Sequence, residues 1–284
     1  MALKVRRPAY AGSFYEGTSE SLRAQIEDCF KGKLGPGTLP KTAENKLKHT
    51  VGLISPHAGY MYSGPVAAHG YHHLAQDGKP DLVVIFGPNH QGIGSGLATM
   101  TEGAWRTPLG DVEVDTETAT TIARESGIID VDEVAHVREH SIEVQLPWLQ
   151  YLYGSRFRFV PICFLMQDFE SSREVGLAVA KALKNKNALV IASTDMTHYE
   201  PQKSAETKDK AIIEAVLQLD ERKLYSEVEG RRVTMCGYGP VVAAITAAKE
   251  MGAKSGKLMC YKTSGDVVGD YSAVVGYASI ILSR

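Results

Sequence analysis

Three short apolar runs, each followed by a loop that holds a histidine, constrain this chain more than any other feature. They occupy residues 51–54, 82–86 (LVVIF) and 188–192 (ALVIA). Strands that are apolar on both faces are typical of parallel sheets covered by helices. Segments with helical periodicity separate the runs, so strands alternate with helices along the chain. We therefore predict an α/β fold with a central, mostly parallel or mixed sheet flanked by helices.

Length and composition indicate one compact globular unit. The 284 residues are 44% hydrophobic and 23% charged, as in ordinary globular proteins. The stretch 33–48 is rich in Gly, Pro and Lys, and we interpret it as a surface loop rather than a linker. We expect a single domain over residues 1–284. Periodicity predicts helices at 19–30, 115–125, 170–183, 203–217 and 239–251, and further strands at 112–114, 157–162, 257–263 and 273–282.

The charge balance argues against partners that are recognised by charge alone. The formal net charge is −2, so no overall field attracts nucleic acid or an anionic membrane. A basic cluster at the start of the chain (Lys4, Arg6, Arg7) is interpreted as a solvated terminus. No apolar run reaches the roughly 18 residues of a membrane span, and no leader is evident. We expect neither a nucleic-acid nor a membrane partner.

Cysteine usage predicts a reducing compartment. The chain has four cysteines, none in a CxxC pair, which is unlike a disulfide framework: Cys29, Cys163, Cys236 and Cys260. We therefore expect a cytoplasmic protein. Three of these cysteines lie within apolar helix or strand patterns and are interpreted as core residues, with Cys236 as the exception.

The loops after the three apolar runs carry the candidate site. In α/β sheets, ligands bind just outside the carboxyl ends of the strands. One histidine after a strand is usually a loop residue bonded to backbone, but three at one sheet edge favour a shared pocket. The side chains concerned are His57 and Tyr60 after the first run, Asn89 and His90 after the second, and Asp195, His198 and Tyr199 after the third.

A second histidine group, in AAHGYHHL, is interpreted differently. His69 and His73 share a helix face at the i, i+4 spacing of a metal-binding motif, with His72 beside them. The glutamate that completes such a motif is absent. Surface or packing roles are favoured for these three histidines.

The segment 136–147 (HVREHSIEVQLP) adds polar residues to the account. Glu139, His140 and Glu143 fall near the start of a helix expected at 141–151, which Pro147 should kink or divide. Such residues often only cap a helix. Glu143 has apolar neighbours in sequence, so we expect it to point inward and hold a histidine.

Cys236 lies just before the helix expected at 239–251. A thiol at a helix N-terminus has its thiolate favoured by the aligned amides, although an inert buried cysteine is the plain alternative. Together His57, His90 and Cys236 offer two nitrogens and one sulfur, which suits zinc, iron(II) or copper with positions left open. Asp195 and His198 could then orient ligands or act as acid and base.

The chain is identified as resembling the Memo family. The motifs that carry the resemblance cover nearly the whole chain: RRPAYAGSFYE, SPHAGYMYSGPVAAHGY, IFGPNHQG, WRTPLGDVEVD, EHSIEVQLPWLQ, STDMTHY and MCGYGP. Animal members are named for a role in cell motility. The resemblance also implies a gene association of archaeal and bacterial members with an AMMECR1-like protein and a radical-SAM protein.

The family resembles the class III extradiol dioxygenases in fold, and this implies roles for individual residues. Those enzymes hold non-haem Fe(II) with two histidines and a glutamate, and use a further histidine as acid and base. By resemblance, His57 and His90 occupy the two histidine positions, Cys236 replaces the carboxylate, and His198 matches the acid–base histidine. A thiolate in place of a carboxylate favours copper or zinc more than a facial triad does.

Three functions follow as expectations. The first is a metal-dependent oxidoreductase, acting on O2 or a small molecule, in which His198 moves protons. The second is a non-enzymatic metal-binding or peptide-binding module, in which Tyr60, Tyr62 and Tyr199 contact a polar or phosphorylated segment. The third is a hydrolase with Cys236 as nucleophile. The first is ranked above the second, and the third is last.

Overall fold

A computed structural model of the chain, which describes residues 4–284, confirms the α/β class. Strands alternate with helices along most of the chain, as the sequence predicts. The strands are Val5–Arg6 (β1), Thr50–Ser55 (β2), Leu82–Pro88 (β3), Leu97–Thr99 (β4), Ala104–Thr107 (β5), Gly110–Glu113 (β6), Asp130–Val131 (β7), Arg158–Phe164 (β8), Ala188–Ser193 (β9), His198–Glu200 (β10), Ser255–Thr263 (β11) and Val274–Ser283 (β12).

The helices predicted at 19–30, 115–125, 170–183, 203–217 and 239–251 are present with ends within a few residues of expectation, whereas the helix expected at 141–151 begins only at Leu146. The helices are Ser19–Lys31 (α1), Tyr60–Asp77 (α2), Thr116–Ser126 (α3), Leu146–Tyr153 (α4), Phe169–Ala182 (α5), Gln202–Leu217 (α6), Glu221–Arg231 (α7), Tyr238–Glu250 (α8) and Ser264–Val268 (α9). Two short 3-10 turns lie at Val134–His136 and Glu143–Gln145. Within residues 4–284, no helix is both long and apolar enough to cross a membrane.

The large sheet is mixed, with a parallel centre. Its order is β10-β12-β2-β9-β3-β8-β4-β7, and β11 also pairs with β12. The central strands β2, β9, β3 and β8 run parallel, whereas β12 and β4 are antiparallel to their neighbours in the centre. A separate small sheet has the order β1-β5-β6. The prediction of a mostly parallel or mixed sheet is therefore confirmed.

The apolar runs form the centre of the sheet because helices cover them. Every residue of β2, β3 and β9 is buried. Helix α2 packs on β2 and β12, and α1 and α4 pack on α2. On the other side, α8 packs on β2, β3 and β9, and α5 and α7 pack on α8. The buried apolar side chains form one continuous core. The bounds of the single domain, 1–284, stay a prediction.

Helix α3 begins where its sequence signal predicts. The Asp115 side chain accepts a hydrogen bond from the backbone N–H of Thr118, so it caps the first turn. Gly127 ends the helix with a φ of 64°, in the left-handed region where glycine has no steric penalty. The cap and the glycine together account for the length of this helix.

The prediction that Pro147 kinks or divides a helix is wrong. Helix α4 begins at Leu146, so Pro147 lies in its first turn. A first-turn residue needs no backbone N–H for an intrahelical bond, and proline lacks one. The preceding residues form a 3-10 turn instead of an α-helix.

Within the basic cluster at the start of the chain, Lys4 and Arg7 are exposed as predicted, but Arg6 is not solvated. Strand β1 pairs in parallel with β5, and only 6% of the Arg6 side chain is exposed. Its guanidinium lies over the Trp105 ring, 4.1 Å from the ring centroid. The stretch 33–48 is irregular, as predicted.

A buried carboxylate joins the end of α2 to the start of β2. Asp77, the last residue of α2, accepts backbone N–H bonds from Lys48 at 3.2 Å, His49 at 3.1 Å and Thr50 at 2.8 Å. Burial would raise the pKa of Asp77, but these donors bring it below the ordinary value of 3.8. The ionised carboxylate therefore stabilises the entry into the central sheet.

Replacing Asp77 with asparagine should lower the free energy of unfolding at pH 7 by about 1.5–3 kcal/mol, because hydrogen bonds to a charged acceptor are weakened. The folded pKa is depressed, so this stabilisation is present above pH 3.8 and is lost as the pH falls through the folded value. Denaturant titrations between pH 7 and pH 3 should show the difference shrinking. Asp81→Asn, at an exposed position, is the control. A difference that stays constant with pH would contradict the assignment.

Candidate metal centre

The carboxyl ends of β2, β3 and β9 deliver three site residues to one edge of the sheet. His57, His90 and Asp195 each lie two residues beyond the end of their strand. Because β9 pairs in parallel with both β2 and β3, the three loops leave the sheet side by side. The rings of His57 and His90 are 5.1 Å apart between centroids and nearly perpendicular.

Cys236 joins these histidines from the loop before α8. Its Sγ lies 3.2 Å from Nε2 of His57. One donor atom each from His57, His90 and Cys236 falls within a group whose members are all within 4.8 Å of one another. His57 is buried, Cys236 is half-buried, and 30% of the His90 side chain is exposed, so the cluster opens to solvent at His90.

An ionised carboxylate orients His90. Glu139 lies with Oε1 2.9 Å from Nδ1 of His90, and its Oε2 accepts the backbone N–H of the same residue. Burial would raise the pKa of Glu139, but the hydrogen bond from His90 outweighs it and the pKa falls to about 2. The carboxylate is therefore an acceptor, Nδ1 carries the proton, and Nε2 is left free to bind a metal.

A second set of close donors, His90, Glu139 and His140, is not an equivalent site. Oε1 of Glu139 already accepts the backbone N–H groups of His140 and Ser141, each at 2.9 Å, as well as Nδ1 of His90. These bonds use the carboxylate fully. Glu139 thus orients the loop and the histidine rather than offering a free ligand.

The surroundings of Cys236 favour the protonated thiol over the thiolate in the absence of a metal. Burial first, and the charge of Asp195 second, raise the pKa of the Cys236 thiol well above its usual range. The residue does precede α8, but desolvation outweighs the effect of the helix terminus. The backbone N–H of Asp195 donates to Sγ at 3.2 Å.

Asp195 and His198 lie beside the cluster without belonging to it. Asp195 is buried, its Oδ1 accepts the backbone N–H of His57 at 2.8 Å, and burial raises its pKa. Nδ1 of His198 is 2.8 Å from the carbonyl oxygens of Met196 and Thr234. Carbonyls only accept, so Nδ1 carries a proton, and in the neutral imidazole Nε2 is the acceptor.

His140 forms a wall of the pocket. Its ring stacks on His90 with centroids 4.4 Å apart and meets the edge of His57 at 5.2 Å. The rings of Tyr10 and Phe14 close the other side at 5.2 and 4.6 Å. Burial first, and His57 second, lower the pKa of His140 to about 3, so this imidazole is neutral.

Glu143 points inward as expected, but it does not hold a histidine. Its Oε2 accepts Arg6 Nη1 at 2.6 Å and the Ala9 N–H at 2.9 Å. Its Oε1 accepts the Tyr10 N–H at 2.9 Å and the Tyr15 hydroxyl at 2.7 Å. Glu143 therefore fastens the N-terminal segment, and Glu139 takes the role expected of it.

Three other predicted pocket residues have different roles from one another. Tyr60 is buried and donates to the Val144 carbonyl at 2.6 Å, so it belongs to the core. Asn89 accepts the N–H groups of Gln91 and Gly92 and shapes the turn after His90. Tyr199 is 78% exposed beside His198, with a φ of 57°.

The histidines of α2 do not form a metal group among residues 4–284. Nε2 of His69 lies 3.0 Å from the Leu34 carbonyl, and Nε2 of His72 lies 3.1 Å from the Thr38 hydroxyl. Each ring packs against a different neighbour. The preference for surface or packing roles agrees with these contacts.

Sequence reasoning missed the residues that support the ligands. Ser193, the last residue of β9, lies 3.0 Å from Nδ1 of His57 through its hydroxyl. Tyr10 and Phe14 approach from the N-terminal segment. A signal for Ser193 was present, because a buried strand that ends in a polar residue presents that residue to the ligand edge.

Comparisons with known proteins agree on a family. A family model described as Memo-like protein matches residues 6–281. A MEMO1 family protein of Methanopyrus kandleri is 55% identical over 281 residues, covering 98% of this chain and 99% of the relative. One of Methanothermobacter thermautotrophicus is 53% identical over 278 residues, covering 97% and 99%.

A solved structure supports the fold. An uncharacterised protein of Escherichia coli K12 superposes with a TM-score of 0.53 at 14% identity, covering 82% of this chain and 99% of that one. At this level of identity the likeness concerns the fold alone.

Glu143→Gln should destabilise the protein strongly, because it leaves the buried guanidinium of Arg6 without its counter-charge. Removing one partner of a buried ion pair typically costs about 3–5 kcal/mol. Urea denaturation measures the loss. The matched control is Glu113→Gln, which breaks the exposed pair with Arg158 and should leave stability near that of the wild type. Equal losses of unfolding free energy in the two variants would show that the buried pair stabilises the fold no more than the exposed one.

Proposed function

This chain belongs to the Memo-like family, and from that premise we propose that His57, His90 and Cys236 hold a transition-metal ion used in an oxidoreductase reaction on a small molecule. The observation that carries the proposal is the convergence of two imidazoles and a thiol from separate loops within 4.8 Å. Convergence at the carboxyl edge of a parallel sheet is typical of ligand sites.

The donor set fits a metal chemically. Two nitrogens and one sulfur suit zinc, copper or iron, and three protein ligands leave at least one position for water or substrate. At ordinary zinc bond lengths, a tetrahedral nitrogen and sulfur lie about 3.5 Å apart. The 3.2 Å between Nε2 of His57 and Sγ of Cys236 is close to this value. The buried thiol must lose its proton for the sulfur to bind.

The surrounding residues can move protons. A bound redox-active metal would supply electron transfer and an open coordination position. Nε2 of His198 can take a proton from a small molecule, because two carbonyls fix the proton on Nδ1. Asp195 is buried with a raised pKa, so its carboxyl can hold a proton beside the backbone of His57. His140, Tyr10 and Phe14 exclude water from one side.

A ligand-binding role without turnover is the second candidate. Tyr62 and Tyr199 are exposed, and Tyr199 has a strained positive φ of the kind found at functional sites. These side chains could contact a peptide or another polar ligand in the absence of metal. Functional links to AMMECR1-like and radical-SAM proteins stay a prediction. A nucleophilic role for Cys236 loses support, because burial raises the pKa of its thiol and so disfavours the thiolate.

Protein purified without an affinity tag or chelator should contain near-stoichiometric iron or copper by elemental analysis. The double variant His57→Ala/His90→Ala should lose it, because two of the three donors are gone. His69→Ala/His73→Ala is the matched control and should retain the metal, since those histidines lie on α2 outside the cluster. An empty wild-type pocket that also refuses added Fe(II), Cu(I) and Zn(II) would overturn the proposal and favour the ligand-binding candidate.

A further inference from the structure

A linear chain of buried hydrogen bonds ends at Nδ1 of His57. It runs from Tyr71 on α2, through Gln145 of the 3-10 turn, to Ser193 at the end of β9 and then to His57. All four side chains are at most 2% exposed. The proposed metal chemistry assigns no role to these hydrogen bonds. Their partners and distances determine which atom donates in each bond.

The orientation of Gln145 is fixed first. Its Nε2 lies 3.0 Å from the carbonyl oxygen of Pro56, which can only accept, so this end of the amide is the donor. Its Oε1 accepts the Tyr71 hydroxyl at 2.7 Å. The remaining hydrogen on Nε2 is therefore donated to the Ser193 hydroxyl, 2.7 Å away.

The proton of Ser193 is fixed next. Its Oγ lies 2.6 Å from the Ser141 carbonyl oxygen, which again can only accept. The single hydroxyl hydrogen is committed to that bond. Oγ can then only accept from Nδ1 of His57, 3.0 Å away, so Nδ1 carries the ring proton. Nε2 has none, and it is the atom that faces Sγ of Cys236.

We propose that Ser193 and Gln145 are positioning residues that lock His57 in the tautomer with its proton on Nδ1, leaving Nε2 as a metal ligand. The lock itself follows from the contacts alone, and its effect on metal affinity rests on the proposed function. The chain also joins four segments: the end of β2 at Pro56, the turn at Ser141, the end of β9 and helix α2.

His57 is bound by the hydroxyl of Ser193, whereas His90 is bound by the carboxylate of Glu139. The difference is explained by the charges already present around His57. Asp195 binds the backbone N–H of His57, and Cys236 lies on the other side of the ring. A further carboxylate in this buried space would have to be desolvated beside them without a cation. Ser193 fixes the same tautomer without adding charge.

The test observes the tautomer in metal-free protein. Long-range proton–nitrogen correlation NMR, with assignment by His57→Gln, distinguishes a protonated ring nitrogen from a bare one. Wild type should show His57 with its proton on Nδ1. Ser193→Ala should move the proton largely to Nε2, because Nδ1–H would be buried without an acceptor while Nε2–H can face Sγ of Cys236. The same variant should bind Zn(II), used as a probe, about 10–100-fold more weakly.

Two further variants keep the test decisive. Ser279→Ala is the matched control, because Ser279 on β12 is as buried as Ser193 and makes no side-chain hydrogen bond among residues 4–284. It should keep the wild-type tautomer and Zn(II) affinity. Ser193→Cys keeps a side chain of similar shape but offers Nδ1 only a weak sulfur acceptor, so it should give a mixture of tautomers, which is informative if Ser193→Ala fails to fold.

The outcomes separate the lock from the metal proposal. A wild-type His57 with its proton on Nε2, or a Ser193→Ala protein with the wild-type tautomer, overturns the lock. Wild-type protein that refuses Zn(II), Cu(I) and Fe(II) overturns the proposed function, while the tautomer measurement still decides the lock. An unchanged Zn(II) affinity together with a changed tautomer would remove the stated consequence for metal binding.

Discussion

The parallel pairing of β9 with β2 on one side and β3 on the other decides where every candidate ligand lies. Ser55 is the register partner of Ser193, and Phe86 is the partner of Ala192, so the three strands end almost level. Loops that leave level, adjacent strands must run side by side, and each places its polar residue two positions later. Helix α8 packs on the same three strands, which brings the loop carrying Cys236 to that edge. The cluster is thus a consequence of backbone register rather than of any contact among its own side chains.

Two carboxylates in one short segment stabilise this edge of the sheet through different partners. Glu139 orients His90, and Glu143, four residues later, binds Arg6 and the N-terminal segment. Both are buried, but they are neutralised differently: Glu139 by backbone N–H groups and a histidine, and Glu143 by an ion pair with further donors. The second arrangement carries Tyr10 and Phe14 against His140. The pocket wall therefore depends on an ion pair between residues 137 positions apart in sequence.

Much of the fold and part of the site follow from local sequence patterns. Continuous apolar runs identified the central strands, and the rule that ligands bind at carboxyl ends selected His57 and His90. The burial of Arg6 could not be predicted, since a basic residue near a terminus gives no sign of a distant partner. The roles of Glu139 and Glu143 were exchanged because an irregular segment with a 3-10 turn has no period that assigns faces. Tyr60 and Tyr62 differ in exposure for a similar reason: both lie in the first turn of α2, and only packing against Trp148 buries one of them.

The state of Cys236 shows how burial and site chemistry are linked. A helix terminus favours a thiolate, but burial raises the pKa of the Cys236 thiol well above its usual range, so the protonated thiol is favoured without a metal. The neighbouring groups add no cation: Asp195 is acidic, and His57 is held neutral with its bare nitrogen toward the sulfur. A metal ion would be the positive charge that this arrangement lacks, and its binding would release the thiol proton. The pocket therefore suits a metal ion because the sulfur lacks a positive neighbour and has to lose one proton to bind it.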